Sequence, residues 1–344
     1  MKNFWLRLVL LCTLFALPFN ALMADEIDIR ADHPSTYTVV KGDTLWDVSA
    51  KFLHSPWLWP EIWQANPQIN NPHLIYPGDI LKLIYLDGRP RLVVNRGTMK
   101  LTPQMRTSPL DDAIPAIPLE AINTFLSRSR VVDKERLEAA PYVLAGTNHR
   151  IISGAGDKVY AAGNFVENTN VYGIYRKGQT FVDPVTREKL GIQATDIGTG
   201  RIVVDADENG VTSLSLNSSN EEVRVGDRFM PFADDKVSAT FYPKAPEGDV
   251  DGVIIAVEGG VSHIGAFDVV VINRGERENI QTGDVLAVSK VGEKVKDRYT
   301  RKRVQLPSER AGLLIIFKVF DKVSYGLVLG AEQPLSVFDA VSNP

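Results

Sequence analysis

Catalysis needs a nucleophile, a metal cage or a pair of matched acids, and this 344-residue chain offers little of any. Its five histidines, His33, His54, His73, His149 and His263, are scattered and show none of the paired spacings that zinc peptidases require. Its one cysteine, Cys12, lies in an N-terminal apolar stretch, so the chain beyond it has no thiol for a nucleophile, a disulfide or a thiolate metal site. The nearest approach to serine chemistry is Gly260-Val261-Ser262-His263-Ile264, with Ile where a nucleophile elbow wants glycine. It reads better as a turn between strands. A lytic transglycosylase would need a helical domain around a catalytic Glu, whereas the second half of this chain has a β texture. The expectation is a protein without catalysis, cofactor or metal.

Binding residues remain. One group is Gly42, Asp43, Thr44 and Leu45, a turn where glycine permits a bend and Asp or Thr can cap a helix. Another is the basic run Lys294, Lys296, Arg298, Arg301, Lys302 and Arg303. Such a run is usually a solvated loop, the alternative being a dock for an acidic partner. Whole-chain charge gives no support for nucleic acid as a partner: Lys and Arg number 38 against 42 Asp and Glu, a net −4.

The elements that must position these residues follow from pattern. Tyr37 to Val40 is a short β-branched run, and Leu45, Val48 and Phe52 then recur on one helical face, with Thr44 and Asp47 spaced as a capping box. His54-Ser55-Pro56 ends that helix. A second runs from Pro56 or Pro60 to Ala65, with Leu58 and Ile62 on one face and Trp59 and Trp63 on the next, and Asn66-Pro67 stops it. Tyr76-Pro77-Gly78-Asp79 turns into the strand Ile80 to Ile84, giving a βααβ unit. A unit this small, without disulfides, buries little surface, so Trp57, Trp59 and Trp63 are expected as core staples, not ligand contacts.

This stretch resembles a LysM domain, the small module that binds N-acetylglucosamine polymers. The resemblance rests on Tyr37-Thr38-Val39-Val40-Lys41-Gly42-Asp43-Thr44-Leu45, on Ala65-Asn66-Pro67-Gln68-Ile69 and on Leu74-Ile75-Tyr76-Pro77-Gly78-Asp79-Ile80-Leu81. The family usually has Gln where Asp79 stands, and this copy carries a Trp-rich insertion between its helices. The likeness implies a shallow groove in which Gly42, Asp43, Thr44 and Leu45 face Asn70, Asn71, Pro72, Leu74 and Ile75. An N-acetyl sugar needs a small apolar pocket for its methyl group and close backbone for its amide, which glycine allows.

Around this module the chain is expected to be a multidomain α+β protein. Residues 1–24 read as a secretory signal peptide: Lys2 and Arg7, an apolar core from Leu8 to Leu17, then Leu22-Met23-Ala24. Their removal leaves 36 basic against 42 acidic residues, about −6. The LysM unit occupies 36–85, and a proline-bearing linker 86–118, with Leu92-Val93-Val94 as a strand candidate. Helices at Leu119–Leu126 and Asp133–Ala140 open a mixed, then β-rich subdomain to 235. A second β-rich subdomain fills 236–344, closing on a hairpin of Gly312–Phe320 and Ser324–Leu329, so this C-terminal region is a barrel or sandwich, one domain or two. Four runs begin with glycine before an alternating strand, at Gly156, Gly178, Gly226 and Gly283, with Asp as a turn residue.

A second resemblance spans nearly the whole chain beyond residue 24. A signal peptide, one LysM, a proline-bearing connector and a β-rich end are similar to the type IV pilus secretin-associated family, whose C-terminal part is similar to the end domain of a flagellar outer-ring protein. It is carried by Ile151-Ile152-Ser153-Gly154-Ala155-Gly156-Asp157-Lys158-Val159-Tyr160-Ala161, by Val270-Val271-Ile272-Asn273-Arg274-Gly275, and by Leu306-Pro307-Ser308-Glu309-Arg310-Ala311-Gly312 running into Val323-Ser324-Tyr325-Gly326. That likeness implies a protein of the Gram-negative periplasm whose LysM part holds peptidoglycan while the rest associates with the outer-membrane secretin, with a ring-like homo-oligomer on that partner as one arrangement it allows. A wall-remodelling enzyme or hydrolase activator, and a flagellar outer-ring accessory, are the alternatives.

Overall fold

The computed structural model describes residues 27–63, 75–95, 129–166, 169–231, 242–258, 263–292 and 294–344. Strand β1 (Thr36–Thr38) leads into helix α1 (Leu45–Ala50), a single 3₁₀ turn at Pro56–Leu58 and helix α2 (Trp59–Trp63). Strands β2 (Ile80–Leu86) and β3 (Arg89–Asn95) complete the unit, in the sheet order β1-β2-β3. Thr44 caps α1: its hydroxyl accepts from Asp47 N, and the Asp47 carboxylate accepts from Thr44 N, the expected capping box. Leu45, Val48 and Phe52 are buried as the helical spacing requires. Trp57, Trp59 and Trp63 are buried beside them, which bears out their role as core staples, and Trp46 is buried with them. The Trp-rich insertion supplies the large side chains that a unit of this size needs. β3 lies at the head of the expected linker and carries Leu92-Val93-Val94; it pairs with β2 along its length from Ile80↔Asn95 to Leu86↔Arg89. The rest of that linker, the candidate helix Leu119–Leu126 and the candidate signal peptide lie outside the described residues.

Next come β4 (Ser129–Val132), α3 (Lys134–Ala139), β5 (Tyr142–Gly146), β6 (Ile152–Ser153), β7 (Lys158–Ala162), β8 (Val171–Val182), β9 (Lys189–Val204), β10 (Val211–Ser219), β11 (Val223–Arg224) and β12 (Arg228–Pro231). The main sheet runs β10-β7-β5-β12-β8-β9-β4, and β10 also pairs with β9, so six strands form a ring with β4 added along part of β9. Its interior holds Val143, Val159, Ile174, Ile197, Leu214 and Phe229.

The third unit contains β13 (Asp251–Val257), β14 (Val269–Ile272), β15 (Val285–Lys290), β16 (Lys294–Lys296), β17 (Arg303–Gln305), β18 (Glu309–Val319), β19 (Ser324–Ala331) and β20 (Ala340–Ser342). β13-β14-β19-β18-β15-β20 close a barrel, filled by Ile254, Val270, Ile272, Leu286, Leu314, Ile316 and Val328. The alternate residues Val269, Val271, Ile315, Phe317, Tyr325 and Leu327 point outward yet are also buried, in one cluster with Phe181 and Leu190 of the preceding unit and with the LysM core. Burial on both faces explains continuous apolar runs such as Val269-Val270-Val271-Ile272, which alternation alone would not mark as strands. Against the same barrel, the Arg310 guanidinium lies over the Trp57 ring, 5.8 Å from its centroid.

The turn at the β8–β9 end fastens the two β units. Asp183 is 4% exposed; it accepts from Val185 N and Thr186 N at 2.8 Å each and from Asn273 Nδ2 at 2.7 Å, across the interface. Beside it, Glu188 is held by the two terminal guanidinium nitrogens of Arg277, at 2.9 and 3.1 Å, and by Lys322 at 2.9 Å. Among the described residues no helix is long and apolar enough to cross a membrane.

One expectation needs correcting. Gly178 does not precede a strand; it lies inside β8, close against Gln193 of β9 where the register shifts between Lys177 and Thr180, so its small size serves a bulge and not a turn. The other three glycines do open turns, and they belong to a set of five. Gly42, Gly78, Gly156, Gly226 and Gly283 have φ between 90 and 99°, the third position of a type II turn, where a Cβ is strained. The Asp that follows each one closes the turn twice. Its N–H donates to the carbonyl three residues back, and its carboxylate accepts from that residue's N–H, as Asp43 does from Val40 at 2.9 Å and Asp227 from Arg224 at 2.8 Å.

Candidate functional site

At the edge of the three-stranded sheet, two of these five turns stand side by side. β1 pairs with β2 from Thr36↔Lys82 to Thr38↔Ile80, which brings the turn after β1 (40–43) next to the turn before β2 (76–79). They are laced together by Val39 N donating to the Asp79 carbonyl at 2.9 Å and Gly78 N donating to the Val39 carbonyl at 2.8 Å. Gly42 and Gly78 are both exposed, and a Cβ built on either would meet nothing within 4 Å. The result is an open rim of backbone at the mouth of the unit, where a ligand can approach closely.

The site residues divide by what their side chains already do. Gly42 faces solvent and Asp43 is half-buried. The Asp43 carboxylate is occupied by Val40 N and by the Tyr37 hydroxyl, which donates at 2.8 Å. Burial, with that hydrogen bond to a carboxylate, pushes the Tyr37 phenol up to about 12, so it stays a donor throughout the ordinary range. Thr44 is spent on the helix cap, and Leu45 and Ile75, 2% and 0% exposed, are core residues beneath the turns. Asn70, Asn71, Pro72 and Leu74 lie outside the described residues. Because the Gly-Asp turn recurs at Gly156, Gly226 and Gly283 in the β units, the Gly42-Asp43 pair by itself encodes a turn. What sets it apart is the second turn beside it. Sequence reasoning missed that pairing of Gly42 with Gly78, and the hydrogen bond from Tyr37; the signal available was the repeated Gly-Asp pair on the two sides of β1 and β2.

Among the described residues no tryptophan forms part of the rim, since Trp46, Trp57, Trp59 and Trp63 are all under 10% exposed. Among the described residues, no group of three His, Cys, Asp or Glu side chains could hold a metal ion. The Gly260 to Ser262 part of the Ser-His run lies outside the described residues; His263 is exposed, while Ile264 is buried and bridges to Leu335.

The basic run is only in part the solvated loop expected of it. Lys294 and Lys296 lie on β16, Arg303 on β17, and Arg298, Arg301 and Lys302 on the turn between them. All six are exposed and far in function from the turns above, a separate surface on a separate unit.

Comparison with known proteins agrees with the geometry. The LysM domain family matches residues 37–83. The uncharacterized protein YqbP of Bacillus subtilis (strain 168) is 43% identical over 60 residues, which is 14% of this chain and 27% of that relative. The likeness therefore covers well under a third of either protein. With its strand–helix–helix–strand order, its paired glycine turns and that match, the N-terminal unit of this chain is a LysM domain, followed by a β-rich region that contains a six-stranded barrel.

Proposed function

We propose that this is a non-catalytic periplasmic protein that holds peptidoglycan with its LysM domain and anchors or stabilises an outer-membrane secretin ring, that of a type IV pilus, on the cell wall. The observation that carries the glycan part is the pair of adjacent, open glycine turns in a LysM domain. It offers open backbone to the N-acetyl groups of N-acetylglucosamine, with Leu45 and Ile75 buried beneath it as support. The ring part rests on the resemblance of the chain to the secretin-associated family and on the large β region that follows the LysM domain.

A single shallow groove binds weakly, in the millimolar to micromolar range, or about −4 to −8 kcal/mol. Many copies on a symmetric ring raise overall avidity by about 10² to 10⁴ without any new contact. One LysM per chain is then enough. Co-sedimentation with purified sacculi tests this: the chain alone is retained weakly, and the chain assembled on secretin tightly. Equal retention in both cases overturns the ring reading, and no retention in either overturns the glycan reading. A cleared band in a zymogram on peptidoglycan would show an enzyme instead.

A further inference from the structure

Between β15 and β18 the chain makes a detour that the barrel does not need. Lys290 and Glu309 are paired on one rung of the barrel, so residues 291–308 leave and return to the same place. The neighbouring hairpin, β18 to β19, turns within Phe320-Asp321-Lys322-Val323. Connections beyond about 12 to 15 residues without secondary structure of their own are uncommon in compact domains. This one is an ordered two-stranded ribbon. β16 and β17 pair with each other alone among the described residues, in the register Lys294↔Gln305, Val295↔Val304 and Lys296↔Arg303, and Asp297 ties the turn by accepting from Tyr299 N at 2.8 Å.

The register sorts the ribbon into two faces. Lys294, Lys296 and Arg303 share one, with Gln305, while Val295 and Val304 form the other. Lys296 stands directly across from Arg303, a like-charge pair that destabilises a sheet unless something negative lies over it. None of the six cations has an acidic side chain within ion-pair distance among the described residues. Residues 294–303 carry six cations and one Asp, a net +5, whereas the remainder of the chain carries −9.

We propose that this ribbon is a docking finger for an acidic, extended segment of a protein partner, which adds to a free ribbon edge as a strand and lays its carboxylates over Lys296 and Arg303. Edge strands are ready templates for another chain, and their charge selects which one. Two copies of this ribbon repel one another, which disfavours self-pairing. A lipid surface is the rival occupant, since Tyr299 at the tip and Val295 and Val304 on the second face are exposed; against it, the tip also carries the charged Asp297, Arg298 and Arg301. The assignment does not depend on the glycan reading, since it concerns a different surface.

The probe is a fluorescent eight-residue peptide of alternating glutamate and valine, titrated into the full chain and read by anisotropy. Binding is expected at low salt, weakened by salt and weakened at least about tenfold in K296E/R303E, which loses both attractive pairs and gains repulsion. The same peptide with N-methylated backbone amides, equal in charge, should bind at least about fivefold more weakly, because a strand can no longer form. Both substituted residues are exposed, so an unchanged thermal melt confirms folding; K296Q/R303Q should give an intermediate loss. Equal affinity of wild type and K296E/R303E overturns the proposal, and equal affinity of the N-methylated peptide overturns strand addition. Charge-dependent binding to phosphatidylglycerol vesicles without peptide binding, or concentration-dependent self-association abolished by K296E/R303E, would assign the ribbon to a membrane or to a second copy and overturn it as well.

Discussion

Asn273→Ala should loosen the join between the two β units. Asn273 is 3% exposed and its amide works in both directions: Nδ2 donates to Asp183 Oδ2 at 2.7 Å, and Oδ1 accepts from Val253 N at 2.8 Å. Truncation removes a hydrogen bond to a buried carboxylate, about 1.5 to 3 kcal/mol, and leaves the Val253 N–H without that acceptor, about 1 to 3 kcal/mol more. Since the two costs overlap as neighbours relax, a total of about 3 to 5 kcal/mol is expected. For about 200 residues of β structure, each kcal/mol lowers the melting temperature by about 2 to 4 °C, so far-UV circular dichroism should show a fall of about 6 to 20 °C. Asn273→Asp sharpens the test, because it sets a second carboxylate against Asp183. It should be as destabilising at neutral pH and recover in part on acidification, as one of the two carboxyls takes up a proton. If Asn273→Ala melts within about 2 °C of wild type, this hydrogen bond does not hold the units together.

Three further outcomes are expected. Asp183 and Glu188 are each held at about 2, Asp183 by hydrogen bonds from Thr186, Asn273 and Val185 that outweigh its burial, and Glu188 by Arg277 and Lys322. Folded values below the unfolded ones mean stability that is complete above the ordinary carboxylate range and lost as pH falls through about 4 towards 2; pH-dependent melts should show this, and the drop should shrink in Glu188→Gln. Burial pushes Glu258 and Asp284 the other way, so those two oppose any loss at milder pH, and a fall already complete at pH 5 would contradict the assignment. Gly42→Trp, at φ +99° on the open rim, should reduce retention on sacculi at least about tenfold while leaving the β units' melt unchanged; undiminished pelleting would show that the groove lies elsewhere. Arg176→Met should cost about 2 to 3 kcal/mol, because Arg176 meets the buried Asp227 with two nitrogens at 3.0 and 2.9 Å, and urea denaturation measures it.

The LysM domain was legible in the sequence because its signals are local. Capping at Thr44, the helical spacing of Leu45, Val48 and Phe52, and the glycine turns all act within a few residues, where propensity and pattern decide the outcome. The Asp that follows a turn glycine is likewise a local device, closed by a hydrogen bond three residues back. The tertiary structure alone decided the rest. It placed Gly42 beside Gly78, because antiparallel pairing of β1 with β2 joins residues some forty positions apart. The same long-range pairing put Gly178 inside a strand, since the length of β8 is set by its partner β9 and not by its own residues. The barrel's outward apolar residues were ambiguous in sequence because both faces are buried and no alternation marks them. The basic run resembled a solvated loop until pairing of Val295 with Val304 gathered Lys294, Lys296 and Arg303 on one face of a ribbon, for charge fixes where a chain avoids burial but only strand register fixes which charges stand together.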